Sequence, residues 1–532
     1  MNKMLDVAIV NAKVHTLNDT DKEVDAVGAT GRRIHVVGSN EEVRRLSGEN
    51  TQLIDVKGKV VLPGFIDSHC HLAFYGMNLT RIDLRTTASK DEVLELVRES
   101  VKKKEKGDWI IVDYLRGWEE SKWKGDKTYL RKEELDQVAP ENPVALSRID
   151  GHLCCVNSRA LEILDLPVET SGYEIQGSEP TGILREPALQ RLHELPELQP
   201  KVEELVHGLK HAIKEAHRLG VTSAHEMFLK YSNREIKAYR ELKDSGELQI
   251  RVSLSPEVKY LDELIDLGLG PGFGDEKIRL GAAKIFLDGS RAARTAALIE
   301  PYHDAPEERG TLLWSKDELE HLVMKAHQNG VQLSIHSVGD RATELVLGCF
   351  EKANKDQRKN LRHRIEHLSL ASRSQIKRAK DLDMIASMQP NFLNLWGLPG
   401  ADDEARLGTE RHERTSPYAW VKEVGLKLAF GSDVLPFSPL FGIHWAVNAA
   451  YPSQKLSPKD AIQAYTSGGA YATFEEGYKG SIEEGKLADL IVISGNPFVE
   501  PNKIKDMNVE LTMFDGKVVY NKLDGDTANG LI

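Results

Sequence analysis

The stretch Pro63-Gly64-Phe65-Ile66-Asp67-Ser68-His69-Cys70-His71 follows the apolar run Val60-Val61-Leu62. A short apolar run bounded by turn residues reads as a buried strand, and strand side chains alternate between two faces. His69 and His71 therefore leave the strand end on one side. Two imidazoles on one face make half a metal site, but a single His-x-His serves equally as a pair of exposed or hydrogen-bonded histidines. The rest of the chain has to decide.

Downstream, apolar runs recur at Val221 to His225, Gln249 to Leu254, Gly281 to Leu287, Val331 to His336, His363 to His367, Met384 to Met388 and Lys427 to Asp433. With the run ending at His69 they number eight. Between them lie amphipathic stretches with charged outer faces, such as Val202 to Leu219, Asn233 to Ser245, Ser315 to Asn329 and Asp340 to Ala353. Strand followed by helix, eight times over, predicts an α/β chain folded as a (β/α)8 TIM-type barrel with its chemistry at the C-terminal strand ends. Roughly 130 residues separate His71 from the second run, too many for a loop, so an inserted subdomain is expected over about 73–200.

Both chain ends read as short strands and turns. The head offers Val7 to Val10, Lys13 to His15, Ile34 to Gly38 and Gln52 to Val56; the tail offers Ala488 to Ile493, Val509 to Phe514 and Lys517 to Tyr520. Neither end has strands enough to bury a core alone. Residues 1–62 and 480–532 are therefore expected to pair as one composite β-sandwich, with the barrel at 63–479 inserted between them.

Composition narrows the function classes. A net charge of −12 disfavours nucleic acid or an anionic membrane as partner. The four cysteines show no Cys-x-x-Cys spacing, no signal peptide opens the chain and no run spans a membrane. The expectation is a cytoplasmic protein acting on a small molecule, with a homodimer as a possible assembly.

Metal-competent residues end five of the eight runs: His69 and His71, Lys284, His336, His367 and Asp433. Each has an ordinary alternative, His367 as a satisfied core histidine and Asp433 as a turn cap. Their joint position where a barrel concentrates its chemistry favours a nitrogen- and oxygen-rich centre suited to Zn²⁺, with Mn²⁺, Co²⁺ and Fe²⁺ also compatible. Lys284 is the odd member. Either it pairs with Asp288 or Glu226, or it carries CO2 as a carbamate whose oxygens bridge two cations.

In order along the chain stand PGFIDSHCH, RIDGHLCCVNSRAL from Arg148, KIFLDGS from Lys284, SIHSVGDRA from Ser334, RIEH from Arg364, FGSDV from Phe430 and GKLADLIV from Gly485. In these motifs the chain resembles the amidohydrolase superfamily, and within it the amidohydrolase-3 group of YtcJ-like hydrolases and N-substituted formamide deformylases. The resemblance implies two divalent ions, Zn²⁺ first, with His69, His71 and Asp433 on one, His336 and His367 on the other, and N6-carboxylated Lys284 between them. It further implies hydrolysis of a non-peptide C–N bond, in an amide or an N-acyl or N-formyl compound, by a metal-bound hydroxide with Asp433 as the proton shuttle. Two alternatives stand beside it: a mononuclear deaminase of a cyclic amidine or aminopurine, and a non-catalytic ligand-binding or regulatory barrel.

Candidates for substrate contact are His152, Arg291, Arg148, Asp288 and His225, followed by Asp150, Asn157, Glu226, Asp340 and Gln389. Trp118, Trp123 and Trp396 are candidates for an apolar wall. The glycine-rich Gly268 to Asp275 lacks a strand-to-helix context and reads as a turn.

Overall fold

The apolar runs form parallel strands arranged as two arcs. The computed structural model describes every residue except 1–3, 19, 21, 81–83, 85–86, 116–127, 149–151, 228–232, 357–358 and 524–532. In one arc the order is Phe65–Cys70, Val221–Met227, Arg251–Ser255 and Ile278–Leu280. In the other it is Ala283–Phe286, Leu333–Ser337, Arg364–His367, Ile385–Met388 and Lys427–Phe430.

This differs from one continuous eight-stranded ladder. The fourth run holds the strand Ala283–Phe286, a further short strand, Ile278–Leu280, precedes it across Gly281-Ala282, and the arcs meet at seams where isolated hydrogen bonds replace ladder pairing. At one seam Lys284 N–H donates to Pro256 O at 2.8 Å. At the other Asp433 N–H donates to His69 O at 2.8 Å and Ser68 Oγ to Phe430 O at 2.6 Å. Asp67 reinforces this second seam by accepting from Ser432 N–H at 3.0 Å, a side chain taking the place of a backbone partner.

The helices follow their periodicity. Val202–Arg218 buries Leu205, Leu209, Ala212, Ile213 and Ala216, spaced three and four apart on one face. Lys316–Gln328 starts at a capping box made by Ser315 and Glu318.

Head and tail share a sheet. Its order is Lys517–Asn521, Val509–Phe514, Leu490–Ile493, Val60–Pro63, Lys13–His15 and Glu23–Val24. A second sheet, Arg33–Gly38, Ala26–Thr30, Val7–Val10 and Gln52–Asp55, comes from the head alone. Ile9, Val27, Val61, Leu490, Val492 and Leu511 fill one core between these sheets. Strands Glu23–Val24 and Ala26–Thr30 and helix Asn40–Leu46 lie outside the sequence expectation.

Residues 110–185 make a separate five-stranded sheet, ordered Tyr173–Gln176, Glu179–Arg185, Leu153–Val156, Val144–Arg148 and Ile110–Leu115. Among the described residues no helix is long and apolar enough to cross a membrane.

Candidate metal centre

His69, His71, Lys284, His336, His367 and Asp433 all line one cavity of about 370 Å³. The ladder explains part of this convergence, since Ser337 pairs with His367 and His336 with Glu366 on adjacent strands. Ligand atoms of His69, His367 and Asp433 lie within 4.8 Å of one another. His71 Nε2 stands 3.1 Å from Asp433 Oδ1. The tightest trio therefore straddles the division into halves that the resemblance implies.

In three of the four histidines the second nitrogen is engaged, which fixes the one left over. His69 Nδ1 meets Glu366 Oε2 at 2.5 Å, and His367 Nδ1 meets Gln389 Oε1 at 2.7 Å. His336 Nε2 faces the Gly289 carbonyl at 3.1 Å. All three partners are acceptors, so the engaged nitrogens carry the protons. Nε2 of His69, Nε2 of His367 and Nδ1 of His336 keep their lone pairs for a ligand.

The backbone is strained at two of these positions. His367 has φ +74° and Asp433 φ +51°, left-handed values that L-residues adopt uncommonly. Gly431 permits the close approach there, because a Cβ on it would overlap the backbone of His69.

Burial sets the electrostatics. It draws Lys284 down to about 8, against the pull of Glu366 and Asp433, and the Nζ has no hydrogen-bond partner. It pushes Asp288 and Glu226 up to about 7. Burial works on Asp433 and Glu366 in the same sense and loses. His69, His71 and His367 hold Asp433 far below the carboxylate range, and Arg364, His69 and Lys284 do the same for Glu366. A buried amine without a hydrogen-bond partner, in one cavity with imidazole lone pairs and an ionised carboxylate, fits a centre of divalent cations.

The other candidates divide. Arg148, His152, Glu226 and Asp288 line the same cavity, where His152 Nδ1 is bonded to Glu186 and Asp288 accepts from Val338, Gly339 and Ala297 N–H. Glu226 accepts from Ala73 N–H at 3.1 Å and so secures the helix that starts after His71. Arg291 and Trp396 line an adjoining lobe of about 60 Å³ that shares His152, His336, His367, Asp433 and Leu435 with the larger cavity. Arg291 Nε and Nη2 grip Asp403, each at 2.8 Å.

Four candidates line neither space, Gln389 among them, its side chain bonded to His367. His225 is turned to Arg364 Nη1 at 3.1 Å, Asn157 caps helix Ser158–Leu164, and Asp340 accepts from Ile299 N–H at 2.8 Å. Their polar atoms bind protein groups, as strand interiors and helix starts require. Asp150, Trp118 and Trp123 lie outside the described residues. Sequence reasoning missed Asp67 and Glu366. Asp67 had a signal, since Asp67, His69 and His71 alternate along one strand face.

Comparison with known proteins places the chain in a family. The profile of the amidohydrolase family (Amidohydro_3) matches residues 52–520. The YtcJ protein of Bacillus subtilis (strain 168) is 32% identical, over 96% of this chain and 98% of its own length. The N-substituted formamide deformylase of Arthrobacter pascens is 27% identical, over 98% and 99%. Among solved structures, an uncharacterized metal-dependent hydrolase from Pyrococcus furiosus superposes with TM-score 0.73 at 30% identity, over 92% of this chain and 99% of that one. With the family profile matched over residues 52–520 and a relative 32% identical over 96% of its length, the chain belongs to the amidohydrolase family.

Proposed function

We propose that the protein is a metal-dependent hydrolase of a non-peptide C–N bond, in an amide or an N-acyl or N-formyl compound. One observation carries this reading: six metal-competent side chains line a single cavity, and the Nζ of one of them, Lys284, is buried without a hydrogen bond. The full-length likeness to a formamide deformylase supports the bond type.

His69, His71 and Asp433 would hold one divalent cation and His336 and His367 a second, Zn²⁺ in the first instance, with N6-carboxylated Lys284 bridging them. Such cations, when bound, bring the pKa of water from ~15.7 toward ~7 and withdraw electron density from a carbonyl. Lys284 Nζ takes up CO2 by forming an N–C bond and releasing a proton, which requires the neutral amine that its burial favours. Asp433 Oδ1 accepts the proton of the attacking water and passes it to the departing amine. His152, oriented by Glu186 beside His336, hydrogen-bonds the substrate carbonyl, and Arg148 and Asp288 face the bound small molecule.

Residues 1–62 with 480–532 are proposed as the composite sandwich, 63–479 as the (β/α)8 barrel, and about 73–200 as its inserted subdomain. The four cysteines are buried and joined by no disulfide, which favours the cytoplasm.

The test is metal content per chain with native intact mass in bicarbonate, for wild type and Lys284→Ala. The expected result is two cations and a labile ~44 Da adduct in wild type, with the adduct lost in the variant. One cation with unmodified Lys284 would overturn the bridge in favour of a mononuclear deaminase. No turnover across an amide, ester and lactone panel by fully loaded protein would overturn the hydrolase.

A further inference from the structure

The three histidines with fixed tautomers are not fixed alike. His367 leans on a neutral amide, Gln389, and His336 on a backbone carbonyl, Gly289. Only His69 is hydrogen-bonded to a carboxylate, that of Glu366; the carboxylate beside His336 Nε2, Asp288 Oδ1, stands off at 3.6 Å. A carboxylate on the far nitrogen holds the ring angle and the tautomer, and it also makes the ligating nitrogen more basic.

Glu366 is itself held hard. Its Oε1 accepts from Ser334 Oγ at 2.6 Å and Arg364 Nε at 2.7 Å. Arg364 Nη2 reaches Ser68 O at 2.5 Å and Ser387 Oγ at 2.9 Å, and Nη1 faces His225. One ion pair thus ties five parallel strands together, those carrying Ser68, His225, Ser334, Arg364 and Ser387. Glu366 is left with Oε2, which it gives to His69, Arg364 Nη2 being 3.3 Å away.

We propose that Glu366 is a positioning residue for His69 and makes the His69 half of the centre the tighter of two cation sites. The inference rests on the reading of His69 as a ligand. It concerns an asymmetry between the two halves that the ligand set alone does not contain.

The experiment titrates metal-free protein with Zn²⁺ against a chromophoric chelator, for wild type, Glu366→Gln, Ser334→Ala and Asp489→Asn. Asp489 belongs to a buried ion pair with Arg251, away from the cavity, and controls for instability as such. Wild type is expected to show two unequal constants. In Glu366→Gln the tighter one weakens by about 10- to 100-fold and the weaker one holds. If Glu366→Gln does not fold, Ser334→Ala, which loosens the carboxylate without removing it, shifts the same constant by a smaller factor.

Histidine ¹⁵N spectra of the metal-free protein give a second readout. His69 is a pure Nδ1–H tautomer in wild type and a mixture in Glu366→Gln. Zn²⁺ constants in Glu366→Gln equal to wild type, with a loss of stability like that of Asp489→Asn, would overturn the inference and leave the proposed function standing. Wild type that binds no Zn²⁺ would remove both.

Discussion

Among the described residues, two buried arginine–carboxylate pairs stand in contrast: Arg364–Glu366 is bonded to a cavity-lining residue, His69, and Arg251–Asp489 is not. Arg364 and Glu366 lie inside the parallel strands with side chains 1% and 0% exposed. Arg251, at 1% exposure, grips Asp489 at 2.7 and 3.0 Å where its strand meets the tail, with Asp515 and the Phe514 ring beside it. The second cluster closes on itself, for Asp489 also accepts from Asp515 N–H at 2.9 Å and Lys277 reaches Asp515 at 2.7 Å. The first spends one oxygen on His69. Burial of the charge is the same in both, so burial alone says nothing about function. What separates them is whether every oxygen is used up within the framework.

Substitutions in the two clusters can break this distinction. Arg364→Met is expected to have the largest effect: it strands Glu366, costs about 3–5 kcal/mol of stability, and lowers turnover by about 100-fold or more in whatever protein folds. Chemical denaturation and assay of the soluble fraction check it, and wild-type turnover would erase the distinction. Asp489→Asn leaves Arg251 underpaired at a cost of about 3 kcal/mol, with turnover per folded molecule unchanged. An activity loss there would couple the tail to the centre.

A buried histidine pair sharpens the comparison with the smallest effect. His363 Nδ1 accepts from Leu333 N–H at 3.0 Å and its Nε2 lies 3.1 Å from His327 Nδ1. Burial, aided by His327, holds His363 down to about 3. Its folded pKa is below its unfolded one, so the unfolded chain takes up a proton first as the pH falls. Stability is then lost from about pH 6.5 toward pH 3, by about 2 kcal/mol at pH 5 relative to pH 8. His363→Gln should remove that share of the slope in denaturation midpoints measured at the two pH values. An unchanged slope would place the acid sensitivity in the centre's own histidines.

The strands and the candidate ligands were legible because each is written locally. Period-2 runs ending in His69, His336, His367 and Asp433 need no distant partner to be recognised. The supporting hydrogen bonds were not legible for the opposite reason: His69 and Glu366 stand 297 residues apart, and Ser432 and Asp67 stand 365 apart. His225 and Asn157 looked like site residues because a polar side chain at a strand end or in a loop reads the same whether it faces substrate or a neighbouring helix. The division into two arcs was hidden as well, since side-chain and isolated backbone bonds at a seam leave the apolar pattern intact. The capping box of Ser39 and Glu42 was written locally and could have been read.

The left-handed backbone at His367 and Asp433 sets evolution and engineering at odds. A non-glycine residue in that region gives up about 1 kcal/mol or more, so glycine would relax the chain at both positions. Selection for heat resistance without selection for turnover should therefore drift toward losing these two side chains. Among sequences descended from this one, unusual robustness paired with glycine at position 367 or 433 would mark a lineage that has stopped doing chemistry.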